Sequence, residues 1–134
     1  MTSSSARKPS APTVAKALVR AAGISLRPRY RTISPDELDA LIRSGEPPTI
    51  VDVRQAADFE DGHIAGALNL PFDEFDVHRR DVPRGGPIVT VCYLGMLSRT
   101  AAQHLVADGH EMVLNLDRGM KGWRELTEDR RSEG

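Results

Sequence analysis

The chain contains one cysteine, Cys92, and its surroundings are those of a nucleophile. It follows directly on Ile88-Val89-Thr90-Val91, a β-branched run without alternation, as expected of a strand buried on both faces. Gly95 comes shortly after, and a helix is predicted to begin near Ser98. A thiol placed between the end of a strand and the start of a helix faces the positive pole of the helix dipole, which favours thiolate over thiol. Gly95 permits a turn in which several N–H groups converge on the sulfur as an anion cradle. Ser98 is expected to cap the helix and to offer its hydroxyl to the same pocket. The plainer alternative is a small buried hydrophobe. The strand, glycine and helix in that order favour a functional thiol.

Further chemistry is limited by what is absent from the sequence. One cysteine allows no internal disulfide and no Cys-rich zinc knuckle. His78, His104 and His110 share no metal-ligand spacing with one another or with Cys92, so neither a metal nor a cofactor is expected.

The elements that must position Cys92 are legible on either side of it. Ser34-Pro35-Asp36-Glu37 reads as a helix start: a cap, a proline for the first turn, and a glutamate that completes a capping box. Leu38, Leu41 and Ile42 supply its apolar stripe, and Gly45 ends it. Strands are predicted at Ile50–Val53, Ala67–Leu70, Ile88–Val91 and Met112–Leu116. A helix with Ala101, Ala102, Leu105 and Val106 inward is predicted between the last two, and a closing helix carries Trp123 and Leu126. Strands alternating with helices at this spacing predict an α/β domain with a mostly parallel sheet and helices on both faces. In such sheets ligands bind beyond the carboxyl ends of the strands, which is where Cys92 lies.

Composition sets the outer limits. The chain has 134 residues, 40% hydrophobic and 28% charged, which fits one soluble globular domain. No run approaches the ~20 apolar residues of a membrane-spanning helix. Residues 1–35 carry seven basic side chains and no acidic one, leaving 11 basic against 19 acidic in the remainder. So acidic a body offers no basic face to nucleic acid. Residues 1–31 read as a basic tail with a Ser-, Ala- and Pro-rich disordered start and a short amphipathic helix near 14–22. The domain is expected over 32–127, with 128–134 disordered. The tail lacks the apolar core of a secretory signal, and a cytoplasmic protein is expected. Arg outnumbers Lys 15 to 3, in keeping with a high-GC bacterial genome.

From Thr32 to about Leu126 the chain resembles a single rhodanese domain, a sulfurtransferase module. The resemblance rests on ordered stations: Ser34-Pro35-Asp36-Glu37-Leu38, Asp52-Val53-Arg54, Gly62-His63-Ile64-Ala65-Gly66-Ala67-Leu68-Asn69-Leu70-Pro71, Cys92 with Gly95 and Ser98, Ala101-Ala102, and Gly119-Met120 with Gly122-Trp123. It implies a three-layer fold around a five-stranded, mostly parallel sheet. It also implies that Cys92 accepts a sulfane sulfur from a donor, thiosulfate or a low-molecular-weight persulfide, and passes it from a Cys92 persulfide to a thiol, small or protein-borne, or to another thiophilic acceptor. Tyr93, Leu94, Gly95, Met96, Leu97 and Ser98 would line the cradle with their amides. Asp52, Arg54 and His63 are assigned to the scaffold, with Arg54 expected to pair with Asp58. No nucleic acid or membrane partner is implied, and the expected assembly is a monomer or weak homodimer.

One departure stands out. Active members usually carry an arginine five residues after the cysteine, and here Leu97 occupies that place. A charge-assisted hydrogen bond is worth ~1.5–3 kcal/mol, so its loss should weaken a dianionic donor roughly tenfold to a hundredfold. Arg99 and Arg118 are the candidates for a replacement cation. The alternative is a non-catalytic persulfide carrier or interaction module of the same fold. A related phosphatase or arsenate reductase would show an arginine six residues after the cysteine. Here the nearest, Arg99, comes seven later, and Val91 stands where a histidine is usual.

Overall fold

The structure is a computed structural model that describes residues 29–133. The helix predicted near 14–22 and the disordered start lie outside the described residues. Five strands, β1 (Arg31–Ile33), β2 (Thr49–Asp52), β3 (Leu68–Asn69), β4 (Ile88–Val91) and β5 (Val113–Leu116), form one sheet in the order β1-β5-β4-β2-β3. Every pairing is parallel. The helices are α1 (Pro35–Arg43), α2 (Ala56–Asp61), α3 (Phe75–His78), α4 (Leu97–Ala107) and α5 (Gly119–Glu133). None of them is long and apolar enough to cross a membrane.

Alternation along the strands divides the core in two. Val51, Val53, Ile88 and Val113 pack on one side with Phe75 of α3 and Ala101, Ala102 and Leu105 of α4. Ile50, Val89, Val91, Leu114 and Leu116 pack on the other with Leu38 of α1 and Met120 of α5. The result is three layers. Both sheet faces are covered, which is why the strands read as continuous apolar runs.

Local signals account for α1. Ser34 Oγ accepts from the Glu37 N–H at 3.1 Å, while Glu37 Oε1 accepts from the Ser34 N–H at 2.9 Å, the reciprocal box expected from the sequence. Elsewhere the long-range pairing moved the boundaries. The strand predicted over Ala67–Leu70 contracts to Leu68–Asn69, the two residues that pair with Val51 and Asp52 of β2. The edge strand β1, the fifth that the resemblance implies, and the short helices α2 and α3 carry no strong periodic pattern, so the residues alone do not place them.

Within the span expected to be disordered, residues 128–133 continue α5 to Glu133, and residue 134 lies outside the described residues. Arg130 donates to Asp39 Oδ2 of α1 at 2.6 Å and ties that extension down. Burial pushes the Asp39 carboxyl up, but Arg130 and Arg43 outweigh this and hold it below its ordinary value.

Candidate active site

Strand β4 ends at Val91, and Cys92 Sγ turns into the loop before α4. Three donors converge on it: the Gly95 N–H at 3.1 Å, the Ser98 N–H at 3.3 Å and the Ser98 hydroxyl at 3.2 Å. Gly95 has φ +85°, and a Cβ there would lie 2.7 Å from the Leu116 carbonyl oxygen, so the turn requires glycine. The carbonyls of Cys92 and Tyr93 accept the N–H groups of Met120 and Lys121 at 2.9 and 3.0 Å, which joins the thiol loop to the first turn of α5. Donors aimed at a sulfur from main chain and hydroxyl stabilise negative charge on it without a metal or a separate base.

Two expectations about this loop are corrected. Ser98 does not cap α4. It is already helical, Met96 occupies the cap position without a side-chain bond, and the Ser98 hydroxyl is turned to the sulfur instead. The cradle is also narrower than the whole loop, because only the amides of Gly95 and Ser98 bond Sγ.

A second ring of polar groups, missed in the sequence, holds the cradle. Asn115 of β5 is 1% exposed. Its Nδ2 donates to the Gly95 carbonyl at 2.9 Å, which directs Oδ1 toward Ser98 Oγ at 2.6 Å and Thr90 Oγ1 at 3.0 Å. The Ser98 hydroxyl therefore has one proton and two acceptors, Asn115 Oδ1 and Cys92 Sγ, and an anionic sulfur is the stronger of them. Ser98→Ala should slow alkylation of Cys92 by iodoacetamide at neutral pH about tenfold, at a stability cost of only about 1 kcal/mol, because Thr90 still satisfies Asn115. An unchanged alkylation rate would show that the hydroxyl does not act on the sulfur. The available signal was a polar residue in the middle of the apolar run Val113-Leu114-Asn115-Leu116.

Cys92 forms part of the wall of a cleft of about 600 Å³. Tyr93, Leu94, Met96 and Leu97 stand around it, all exposed, so the loop does make an apolar mouth. Asp52 and Arg54 sit behind it as a closed bidentate pair: Arg54 Nε and Nη2 donate to Asp52 at 3.1 and 2.9 Å, and Nη2 also donates to the Gly62 carbonyl at 2.8 Å. The expected partner Asp58 is not used. The two-residue offset on a bending strand end turns Arg54 back onto Asp52 instead. His63 stacks on Phe59 with centroids 3.6 Å apart and donates to the Phe59 carbonyl, away from the thiol.

Neither candidate replacement cation lines the cleft. Arg99 points outward from the first turn of α4. Arg118, at φ +62°, is paired with Glu125 at 2.5 Å. The cation that does line the cleft beside Arg54 is Arg124 of α5, which the sequence did not single out. Among the described residues no three of His, Cys, Asp and Glu assemble to hold a metal ion.

Comparison with known proteins agrees with this architecture. Residues 34–126 match the rhodanese-like domain family. The thiosulfate sulfurtransferase GlpE of Shewanella oneidensis is 41% identical over 78 residues, which cover 57% of this chain and 75% of that protein. Among solved structures, reduced Bacillus anthracis CoADR-RHD superposes with a TM-score of 0.67 at 31% identity, over 75% of this chain but only 18% of that longer one. A rhodanese-related protein from Thermoplasma volcanium gives a TM-score of 0.65 at 26% identity, over 72% of this chain and 92% of that chain. With the parallel sheet, the thiol loop at its carboxyl edge and these relatives in agreement, the chain belongs to the rhodanese-like domain family.

Proposed function

We propose that the protein is a sulfurtransferase that carries a sulfane sulfur on Cys92. The observation that bears most weight is the convergence of two main-chain N–H groups and the Ser98 hydroxyl on Sγ, beside an open cleft. The inner side of the sulfur is occupied by donors, so an incoming sulfur has to approach from the cleft. The Cys92 thiolate attacks the sulfane sulfur of the donor. A new S–S bond forms, the donor's bond to that sulfur breaks, and the electron pair leaves with the donor residue as thiolate or sulfite. A thiol acceptor then attacks the outer sulfur as thiolate and Cys92 departs as thiolate. Relatives named thiosulfate sulfurtransferase support this reading. A lone unpaired cysteine acting through a persulfide suits a reducing, cytoplasmic setting.

Intact-mass analysis after separate incubation with thiosulfate and with glutathione persulfide tests the proposal. Gain of one sulfur atom, discharged on adding a thiol, is the expected result, and repeated turnover marks an enzyme. Loading without turnover would instead make the protein a persulfide carrier. No gain with any donor would remove the proposal. Leu97→Arg places a guanidinium at the cleft and should raise kcat/KM for thiosulfate about tenfold, a change read directly from sulfite release. An unchanged value would show that the missing loop cation does not limit thiosulfate use.

A further inference from the structure

The charges around the cleft are unusual for a site that takes a dianion. Arg54 is neutralised by Asp52 at 2.9 Å, so it contributes no free positive charge. That leaves Asp58 and Asp61 of α2 and Arg124 of α5, all lining the same cleft as Cys92. Among the described residues none of the three makes an ion pair. Asp58 and Asp61 are three residues apart on a helix and share a face. The Arg124 guanidinium lies over the end of that helix, with Nη2 3.6 Å from where a Cβ on Gly62 would stand. The rim thus brings one unmatched cation to the end of the helix that carries two unmatched carboxylates, and the apolar Tyr93, Leu94, Met96 and Leu97 line the same cleft. A dianion meets more repulsion than attraction there. A molecule that bears an ammonium and a carboxylate close together at one end of a short apolar stem meets a counter-charge for both.

We propose that the cleft selects a zwitterionic thiol persulfide, with Arg124 holding its carboxylate and Asp58 with Asp61 holding its ammonium group. The inference rests on the sulfurtransfer reading above and names its donor class. The reaction is that of a persulfide R–S–S–H with the Cys92 thiolate. Sγ bonds to the outer sulfur, the sulfur–sulfur bond of the donor breaks, and R–S⁻ leaves with the electron pair while the proton stays on the transferred sulfur. Asp58, Asp61 and Arg124 bind and orient R and take no part in the bond changes. Arg124 is thereby a specificity-determining residue that supplies, from the last helix, part of what Leu97 withholds in the loop.

Donor analogues test this on the unaltered protein. The rate of Cys92 persulfidation is measured with cysteine persulfide, with N-acetylcysteine persulfide, which lacks the ammonium charge, and with cysteamine persulfide, which lacks the carboxylate. Cysteine persulfide should exceed each analogue about tenfold in kcat/KM. Arg124→Met should remove the advantage conferred by the carboxylate and leave cysteamine persulfide unaffected. Asp58→Asn combined with Asp61→Asn should do the reverse, leaving N-acetylcysteine persulfide unaffected. Equal rates for all three donors, or an Arg124→Met loss that is the same for each, would overturn the inference while leaving sulfurtransfer intact. Failure of every donor to load Cys92 would overturn the sulfurtransfer reading and this inference with it.

Discussion

Cys92→Ser should abolish uptake of a sulfane sulfur, with sulfurtransfer falling about 10³-fold or more under every donor. The alcohol oxygen stays protonated at neutral pH and is a poor nucleophile toward divalent sulfur, so the surrounding donors have no anion to stabilise. The substitution is nearly isosteric in a site that is 4% exposed, and the Gly95 and Ser98 amides find an oxygen acceptor in place of sulfur. Stability should therefore change little while the mass gain disappears. Residual loading in the serine variant would place the accepting atom elsewhere, although the chain has no other cysteine.

Gly119→Ala should be among the most destabilising single substitutions in the protein, by about 3–5 kcal/mol. Gly119 sits at φ +49°, and a Cβ there would stand 2.2 Å from the Cys92 carbonyl oxygen and 2.6 Å from that of Tyr93. Both obstacles are main chain, so no rotamer change relieves them. Relief requires α5 to move off the thiol loop, which breaks the bonds from Met120 and Lys121 to those two carbonyls. The urea midpoint should fall by more than about 1 M, and the Cys92 alkylation rate should change with it because the cradle loses its outer support. A midpoint within a few tenths of a molar of the parent would show that the close approach of α5 is not required. Gly119 stands beside Met120 in the family-like run of the last helix, but its reason for being glycine lies across the fold, at the Cys92–Tyr93 start of the β4–α4 loop.

How much of this was legible depends on how far apart in sequence the partners lie. The capping box of α1 needed only residues 34–37, and the structure reproduces it bond for bond. Strand β4 was read at its observed limits because a short β-branched run bounded by Pro87 and a loop is a local signal. By contrast β1 has three residues, and pairing with β5 makes it a strand. Its own composition gives no such sign. Arg54 has two nearby carboxylates in sequence, Asp52 and Asp58, and only the bend at the end of β2 selects the first. Arg124 sits on the closing helix, and only its reach over Gly62 at the end of α2 makes it part of the thiol cleft. The last turns of α5 are almost wholly polar and carry no local signal of what they pack against. Their ion pair with Asp39 spans 91 positions of sequence.

By itself the sequence determined that a solitary thiol follows a fully buried strand and precedes a glycine turn and a helix. Those are short-range preferences of the chain, expressed within a few residues of Cys92. The tertiary structure decided what surrounds that thiol: Asn115 behind it, Gly119 beneath its loop, and Arg124, Asp58 and Asp61 around its cleft. Those identities depend on sheet order and helix packing, in which residues tens of positions apart are brought into contact by burial of the two apolar faces of the sheet.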